Sequence, residues 1–366
     1  MKNLVPPAAA ELLWRPQSGV SMLKRLQQGW ERLEGKNSSP MQHYAWAEAF
    51  AETFWPLGTV LVVQVGPDRE PSALAAFVRP PATAGALEAL GARQLFEPTD
   101  FLYESEDALA ALAQALRAQG EALDLPRIPA DSPVVGALCR AYRGRGLVRV
   151  AKTDGYPVLE LDAGWQEPEA RLTASRRSDF RRARRRAERF GTPAFEMRVP
   201  TREDLPSLLQ EAWRVEAAGW KGEAGSALAC DRVRGGFFRR FAYAAARRGV
   251  LRLAYMRIGG RAVAVQLAVE SAGRLWLLKI GHDEHYAACS PGQQLMLYVA
   301  GEGARRGLTA IEFLGEEEAW TRQWTPTVRA CVALRVYPWT RKGVSTLADN
   351  ALRYAASRGK RLTSMA

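Results

Sequence analysis

The stretch Lys279-Ile280-Gly281-His282-Asp283-Glu284-His285-Tyr286-Ala287-Ala288-Cys289-Ser290-Pro291-Gly292-Gln293-Gln294-Leu295 decides how this chain folds. Before it lies the apolar run Leu275 to Ile280, which reads as a buried strand. After it a helical pattern runs from about Pro291 to Arg306 and stops at Gly307. Ser290 is a good N-cap residue, and Pro291 suits the first helical position, where its missing N–H costs nothing. Gly292 carries no side chain, so another group can approach the N–H groups of the first turn. Free donors at a helix start behind a strand suit a phosphate. A bare Ser-Pro-Gly also begins many helices that bind nothing. What adds weight is its placement after one strand and before another, Ala310 to Leu314.

Outward from that stretch, Leu251 to Ile258 and Ala262 to Ala268 read as two strands joined by the tight turn Gly259-Gly260. Upstream come a strand at Val158 to Leu161 and helices at Pro168 to Phe190, Leu205 to Gly219 and Phe237 to Ala246. The first of these helices is stopped by Gly191 and Pro193. Helix, hairpin, strand, helix and strand make a mixed α/β domain rather than a doubly wound one. Further back, Gln42 to Phe50 and Asp107 to Gln119 read as helices, and Val60 to Val65 and Ala73 to Val78 as strands. Gly144-Arg145-Gly146 and Asp154-Gly155 are the softest boundary, so the expected domains are 1–150 and 151–366. A chain of 366 residues is long enough for two.

Composition excludes whole classes. Hydrophobic residues are 47% and charged residues 25%, which rules out disordered, collagen-like and coiled-coil chains. The net charge of +12 favours an anionic partner without choosing among nucleic acid, acidic lipid and a polyphosphate. Cys139, Cys230, Cys289 and Cys331 form no C-x-x-C pair, which fits a reducing compartment. No signal peptide is legible behind Met1, and charges interrupt the most apolar stretch, Val250 to Ile280. A cytoplasmic protein with no transmembrane segment is expected. His282, His285 and Cys289 have no second ligand pair to complete a metal site, so no metal is expected. Cys289 lacks an assigned base and reads as a small buried residue. Gly301 to Gly307 has the wrong spacing for a dinucleotide fingerprint.

The segment from Leu251 to Trp324 resembles the catalytic half of the GNAT acyltransferase superfamily. It is most similar to the CelD-like (cellulose biosynthesis-type) acetyltransferase branch, related to the FemAB peptidyltransferases. The matching residues are the hairpin Tyr255 to Ala268, Lys279 to Glu284, Ser290-Pro291-Gly292, Ile311-Glu312-Phe313-Leu314-Gly315 and Trp320 to Trp324. Tyr156 to Gly191 and Gln42 to Phe50 resemble the same branch. The resemblance implies two GNAT-like halves, each a mixed, mostly antiparallel sheet flanked by helices. The first half, 1–150, would lack a cofactor, and the second would be the acyltransferase.

It further implies acetyl-CoA or a longer acyl-CoA as co-substrate, or an acyl carrier protein as the donor, with an amine acceptor that stays unidentified. The pantetheine would lie along Lys279, Ile280 and Gly281, and the pyrophosphate on the N–H groups around Ser290, Gly292, Gln293 and Gln294. A backbone N–H near Ile280 or Gly281 would polarise the thioester carbonyl. Trp220 and Lys221 would line the acceptor pocket. The chain departs from the superfamily's fuller Gln/Arg-x-x-Gly-x-Gly/Ala loop. It also has Trp320-Thr321-Arg322 where relatives carry an aromatic followed by Lys. A protonated amine needs a base, for which Asp283 and Glu312 stand at strand ends, and Tyr286 could protonate the leaving thiolate.

Ser175 to Arg189 carries eight arginines against Asp179 and Glu188, which is +6 and half of the net charge. Phe180, Ala183, Ala187 and Phe190 form its apolar stripe. A solvated basic face is one reading. An aminoacyl-tRNA-dependent transferase of the FemAB kind and a non-catalytic nucleic-acid-binding protein are the others. Nucleic acid is the less favoured partner, because no aromatics interleave with the arginines on this helix.

Overall fold

The computed structural model describes residues 12–13, 19–35, 38–56, 58–80, 85–219 and 230–363. They form two compact units. The first takes the described residues up to 35, those within 41–155 and those from 329 on, and the second takes 38–40 and the described residues within 156–328. The boundary thus lies at 155 rather than 150. Residues 329–366 also leave the expected second domain, because Cys331 to Val336 of the last strand, Val328–Pro338, pair antiparallel with Pro129 to Leu123.

The first unit has strands β1 (Leu12–Leu13), β2 (Leu61–Val65), β3 (Ala73–Val78), β4 (Leu87–Ala89), β5 (Leu102–Tyr103) and β6 (Leu123–Pro129). Its sheet runs β1-β2-β3-β4-β6 and then the last strand, with β5 added on β3. The β4–β6 pair is parallel and the others are antiparallel. Its helices are α1 (Gly19–Glu34), α2 (Tyr44–Phe54), the single turn α3 (Ala92–Leu95), α4 (Glu106–Gln119) and α5 (Pro133–Ala141). Ser105 caps α4 by accepting from the Ala108 N–H, and Gly120 ends that helix at a φ of 66°. Phe77, Leu112, Leu125, Leu138 and Leu334 are buried in one core. Fully buried Arg127 donates to the carbonyls of Asp154 and Gly155, each at 3.0 Å. That fixes the soft-looking Asp154-Gly155 segment, since a buried guanidinium must spend its donors on fixed acceptors.

Strand β7 (Gly146–Glu160) carries the chain into the second unit. There β8 (Pro193–Arg198), β9 (Leu251–Ile258), β10 (Arg261–Ser271), β11 (Arg274–His282) and β12 (Ala310–Glu312) complete a sheet ordered β7-β12-β11-β10-β9-β8. All pairs are antiparallel except β11–β12. The helices are α6 (Ala174–Glu188), α7 (Leu205–Ala217), α8 (Arg232–Arg247) and α9 (Pro291–Arg305). Leu295, Met296 and Val299 of α9 pack with Leu275, Leu277 and Ile311 of the sheet. The mixed α/β class with helices flanking a sheet is therefore as expected.

Four local expectations shift. The arginine helix starts at Ala174, because Thr173 caps it by accepting from the Arg176 N–H; Pro168–Arg171 is a separate 3-10 turn. Helix α8 begins five residues before Phe237, where Asp231 accepts from the Val233 and Arg234 N–H groups. Strand β12 stops at Glu312, since Leu314 and Gly315 take positive φ values of 56° and 57° that no strand continues through. Ser290 occupies the N-cap position in a left-handed conformation (φ 48°), and its hydroxyl caps nothing.

Candidate functional site

The parallel ladder between β11 and β12 is short. It runs from Arg274↔Ala310 to Trp276↔Glu312, whereas β11 continues to His282. Six residues of β11 therefore run on past the end of β12, and the two strands part at Glu312. On its other side β11 stays paired with β10, but the register slips between Leu267↔Lys279 and Ala268↔Leu277, leaving Leu278 outside the ladder. A bulge of this kind re-aims the backbone locally and is common beside active sites.

At the far end of β11 the chain enters a 3-10 turn, Glu284–Cys289, and then α9. Ser290 closes the junction, its N–H donating to Ala287 O (2.9 Å) and its carbonyl accepting from the Gln294 N–H (3.1 Å). The Gln294 side chain is buried and donates to Cys289 O (2.8 Å), so it braces the junction. The N–H groups of Gly292 and Gln293 find no partner among the described residues. A Cβ placed on Gly292 would meet only His282 Nδ1, at 3.8 Å, so the space before these donors is open. The Gln293 side-chain oxygen is buried there with no hydrogen bond among the described residues. Open space and two free N–H donors fit a phosphate group, whereas the orphaned Gln293 oxygen, an acceptor itself, contributes nothing to holding an anion.

The other expected residues are distributed as follows. Lys279 is half-buried with Nζ 4.4 Å from the centre of the Phe238 ring, a cation–π contact. Ile280 pairs across the ladder with Gln266. Gly281 faces helix α7: a Cβ there would lie 2.7 Å from Glu216 Cα. Gly281 is thus needed for packing, and Gly281→Ala should cost about 1–3 kcal/mol, seen as a lowered melting midpoint. An unchanged midpoint would mean that α7 moves aside.

Asp283 is buried. One carboxylate oxygen accepts from the His285 N–H (3.1 Å) and the other from Arg261 (3.2 Å). Glu312 is fully buried and paired with Arg274. Seven residues of strand, about 20 Å, separate Asp283 from the rung that holds Glu312, so the two carboxylates do not share one centre. Tyr286 stacks edge-on against Phe190 (5.3 Å) and His285 (5.0 Å). Cys289 is fully buried, and burial pushes its thiol up, with Arg186 opposing. Trp220 and Lys221 lie outside the described residues.

Sequence reasoning passed over three features. Glu216 is a buried carboxylate on α7 against Gly281. Its signal was a charged residue beside Val215 on the helix's apolar face. The bulge at Leu278 has no sequence signal, because it is a property of register. Phe190, read as part of an apolar stripe, is 52% exposed.

Among the described residues no three His, Cys, Asp or Glu side chains are grouped as metal ligands would be. No helix among them is long and apolar enough to cross a membrane. Residues 174–322 match the family described as Acetyltransferase (GNAT) domain. Such a domain supports an acyltransferase. No curated protein matches the chain in sequence. Among solved structures, the chain is similar to FemX, with 12% identity, 90% of this chain and 97% of that one covered, and a TM-score of 0.56. It is also similar to the C-terminal domain (DUF2156) of a protein assigned as a lysylphosphatidylglycerol synthetase from Agrobacterium fabrum. There the identity is 12%, the coverage 92% and 97%, and the TM-score 0.55. At these identities the likeness is one of fold.

Proposed function

We propose that the chain is a CoA-thioester-dependent N-acyltransferase of the CelD-like branch, moving an acyl group to an amine. The observation that carries this is the parting of β11 from β12 at Glu312, with the open first turn of α9 at the far end of the same strand. A linear donor can then lie along β11, its thioester near the parting point and its pyrophosphate on the Gly292 and Gln293 N–H groups. The bulge at Leu278 supports a polarising N–H at that residue, slightly before the expected Ile280 and Gly281. The amine attacks the carbonyl carbon, the C–S bond breaks, and the proton given up by the amine balances the departing thiolate. Holding both reactants in one slot removes the entropy cost of bringing them together, and Glu312 is the proposed proton acceptor. Asp283 is assigned a positioning role, because both its oxygens are engaged in holding the turn that leads to α9.

A second reading has the acyl group arriving as an aminoacyl ester on tRNA. The likeness of fold to FemX and the strongly basic α6 favour it. Thermal shift of the purified protein separates the two. At about 100 times Kd, acetyl-CoA or a longer acyl-CoA should add about 2.7 kcal/mol of stability, which moves the melting midpoint by a few degrees. An unchanged midpoint with every CoA thioester removes the CoA reading, and a shift with tRNA alone installs the other. Acyl carrier protein belongs in the same series.

A further inference from the structure

The first unit carries a cleft at a break in its own sheet. Strand β2 lies along one edge of β3 throughout, from Leu61↔Phe77 to Val65↔Ala73. The other edge is shared, because β5 pairs with Ala73 and Leu74 while β4 pairs with Phe77 and Val78. Ala75 and Ala76 stand between those two partners, where the Leu90 N–H donates to Ala76 O (3.1 Å). Both alanines line a part-open cleft together with Trp30, Leu90, Thr99, Asp100 and Phe101. Its walls are mostly apolar, and its polar side chains come from two adjacent residues.

The loop before β5 fixes a carboxylate at this cleft. The Thr99 N–H donates to Arg127 O (2.9 Å) on β6, and the Gln42 amide donates to Phe101 O (2.8 Å). Asp100, between these anchors, is partly buried. Its Oδ1 accepts from the Phe101 N–H (2.8 Å) and from the Ser132 hydroxyl (3.0 Å). Its Oδ2 takes part in no hydrogen bond or ion pair among the described residues. Arg329 acts on this carboxylate only through its field and is ion-paired with Asp131 (3.2 Å). Burial pushes the Asp100 carboxyl up to about 6, with the Asp131 charge adding to the rise and the two hydrogen bonds and Arg329 opposing it. It is therefore mostly ionised at neutral pH without a counter-ion of its own. Nearby Tyr103 supplies none, since burial and then the Asp100 charge push its hydroxyl up and keep it neutral. The Thr99 hydroxyl is buried with no hydrogen bond among the described residues.

A carboxylate with one bare oxygen at an apolar cleft selects its counter-ion. A small metal ion gives up its water only for a shell of oxygens, which mostly apolar walls do not provide. An alkylammonium brings N–H donors for Asp100 and Thr99 and a carbon chain for the walls, and the Trp30 and Phe101 rings favour a cation. We infer that this cleft binds a primary ammonium group carried on a short apolar chain, with Asp100 as its counter-ion. The site lies wholly in the first unit, outside the residues that match the GNAT domain, and does not rest on the acyltransferase reading.

The full-length protein is titrated calorimetrically with n-butylamine near neutral pH, with n-butanol, which has the chain without the charge, and with potassium chloride at equal ionic strength. Of the three, only butylammonium should bind. Lowering the pH from about 7.5 to about 5 should weaken its binding about tenfold, because a proton then takes the place of the cation on a carboxyl that titrates near 6. Asp100→Asn keeps an oxygen to accept from the Phe101 N–H and the Ser132 hydroxyl, so it should fold with a melting midpoint at or above that of wild type. It should nevertheless lose butylammonium binding. Thr99→Val keeps the shape and the charge of the site and should bind butylammonium about tenfold more weakly, the scale of one hydrogen bond to a charged group. If Asp100→Asn does not fold, Thr99→Val decides in its place, and wild-type affinity there would overturn the inference. Equal binding of butylammonium by wild type and Asp100→Asn would overturn it as well. So would no binding to wild type, or binding of butanol or potassium as strong as that of butylammonium. None of these outcomes touches the donor site proposed on β11 and α9, which acyl-CoA tests separately.

Discussion

Glu312→Gln is expected to lower turnover about 100-fold or more and to leave acyl-CoA affinity near wild type. That is the usual scale for losing a positioned proton acceptor. The carboxylate is fully buried on the last rung before β12 leaves β11. The amide has nearly the same shape, so packing is kept while the ability to take a proton is lost. Arg274 is left without a charged partner, and the variant's melting midpoint should be recorded beside its kinetics. Asp283→Asn is the comparison. Its amide oxygen can still accept from the His285 N–H, and it stands about 20 Å along the strand, so its turnover should fall less. If Glu312→Gln keeps full activity at neutral pH, the proton goes elsewhere. Buried Glu216 beside Gly281 is then the next residue to replace.

Gly292→Glu is expected to abolish stabilisation by acyl-CoA without unfolding the protein. The position is half-exposed and its φ is not in the left-handed region, so a side chain is sterically allowed. A Cβ would meet nothing closer than 3.8 Å. The new carboxylate would then occupy the space before the Gly292 and Gln293 N–H groups, and an anion already there repels a pyrophosphate. The gain of about 2.7 kcal/mol expected for wild type at 100 times Kd should vanish. A variant that is stabilised as much as wild type would move the phosphates away from the start of α9.

Local chemistry was legible where one residue decides the geometry. Gly259-Gly260 takes φ values of 55° and 82°, and β9 and β10 flank that turn as expected. Pro291 starts α9, and Gly307, at a φ of 74°, ends the turn after it. Ser290 shows the limit of such reading. Its position was right, but the preceding 3-10 turn forces a left-handed backbone that turns its hydroxyl from the cap. The site itself was half legible. Gly292 could be named from its lack of a side chain. The parting of β11 from β12 could not, because it depends on Leu314 and Gly315 turning the chain aside. Phe190 lies nearly 100 residues before the adjacent His285 and Tyr286 and meets them only through the packing of α6 on the turn before α9, so no local pattern could join them.

The pairing of Cys331 to Val336 with β6 has a consequence for how the protein is made. A ribosome synthesises residues 41–155 first, yet the sheet they begin lacks a strand until residues 329–338 emerge, some 170 residues later. Residues 156–328 are nearly all that the second unit needs, so it can close while the first still waits. During that interval β6 has a bare edge, and an unpaired edge is a template for other strands. The order of completion is therefore the reverse of the order of synthesis, and the first unit is the one exposed to aggregation on the ribosome.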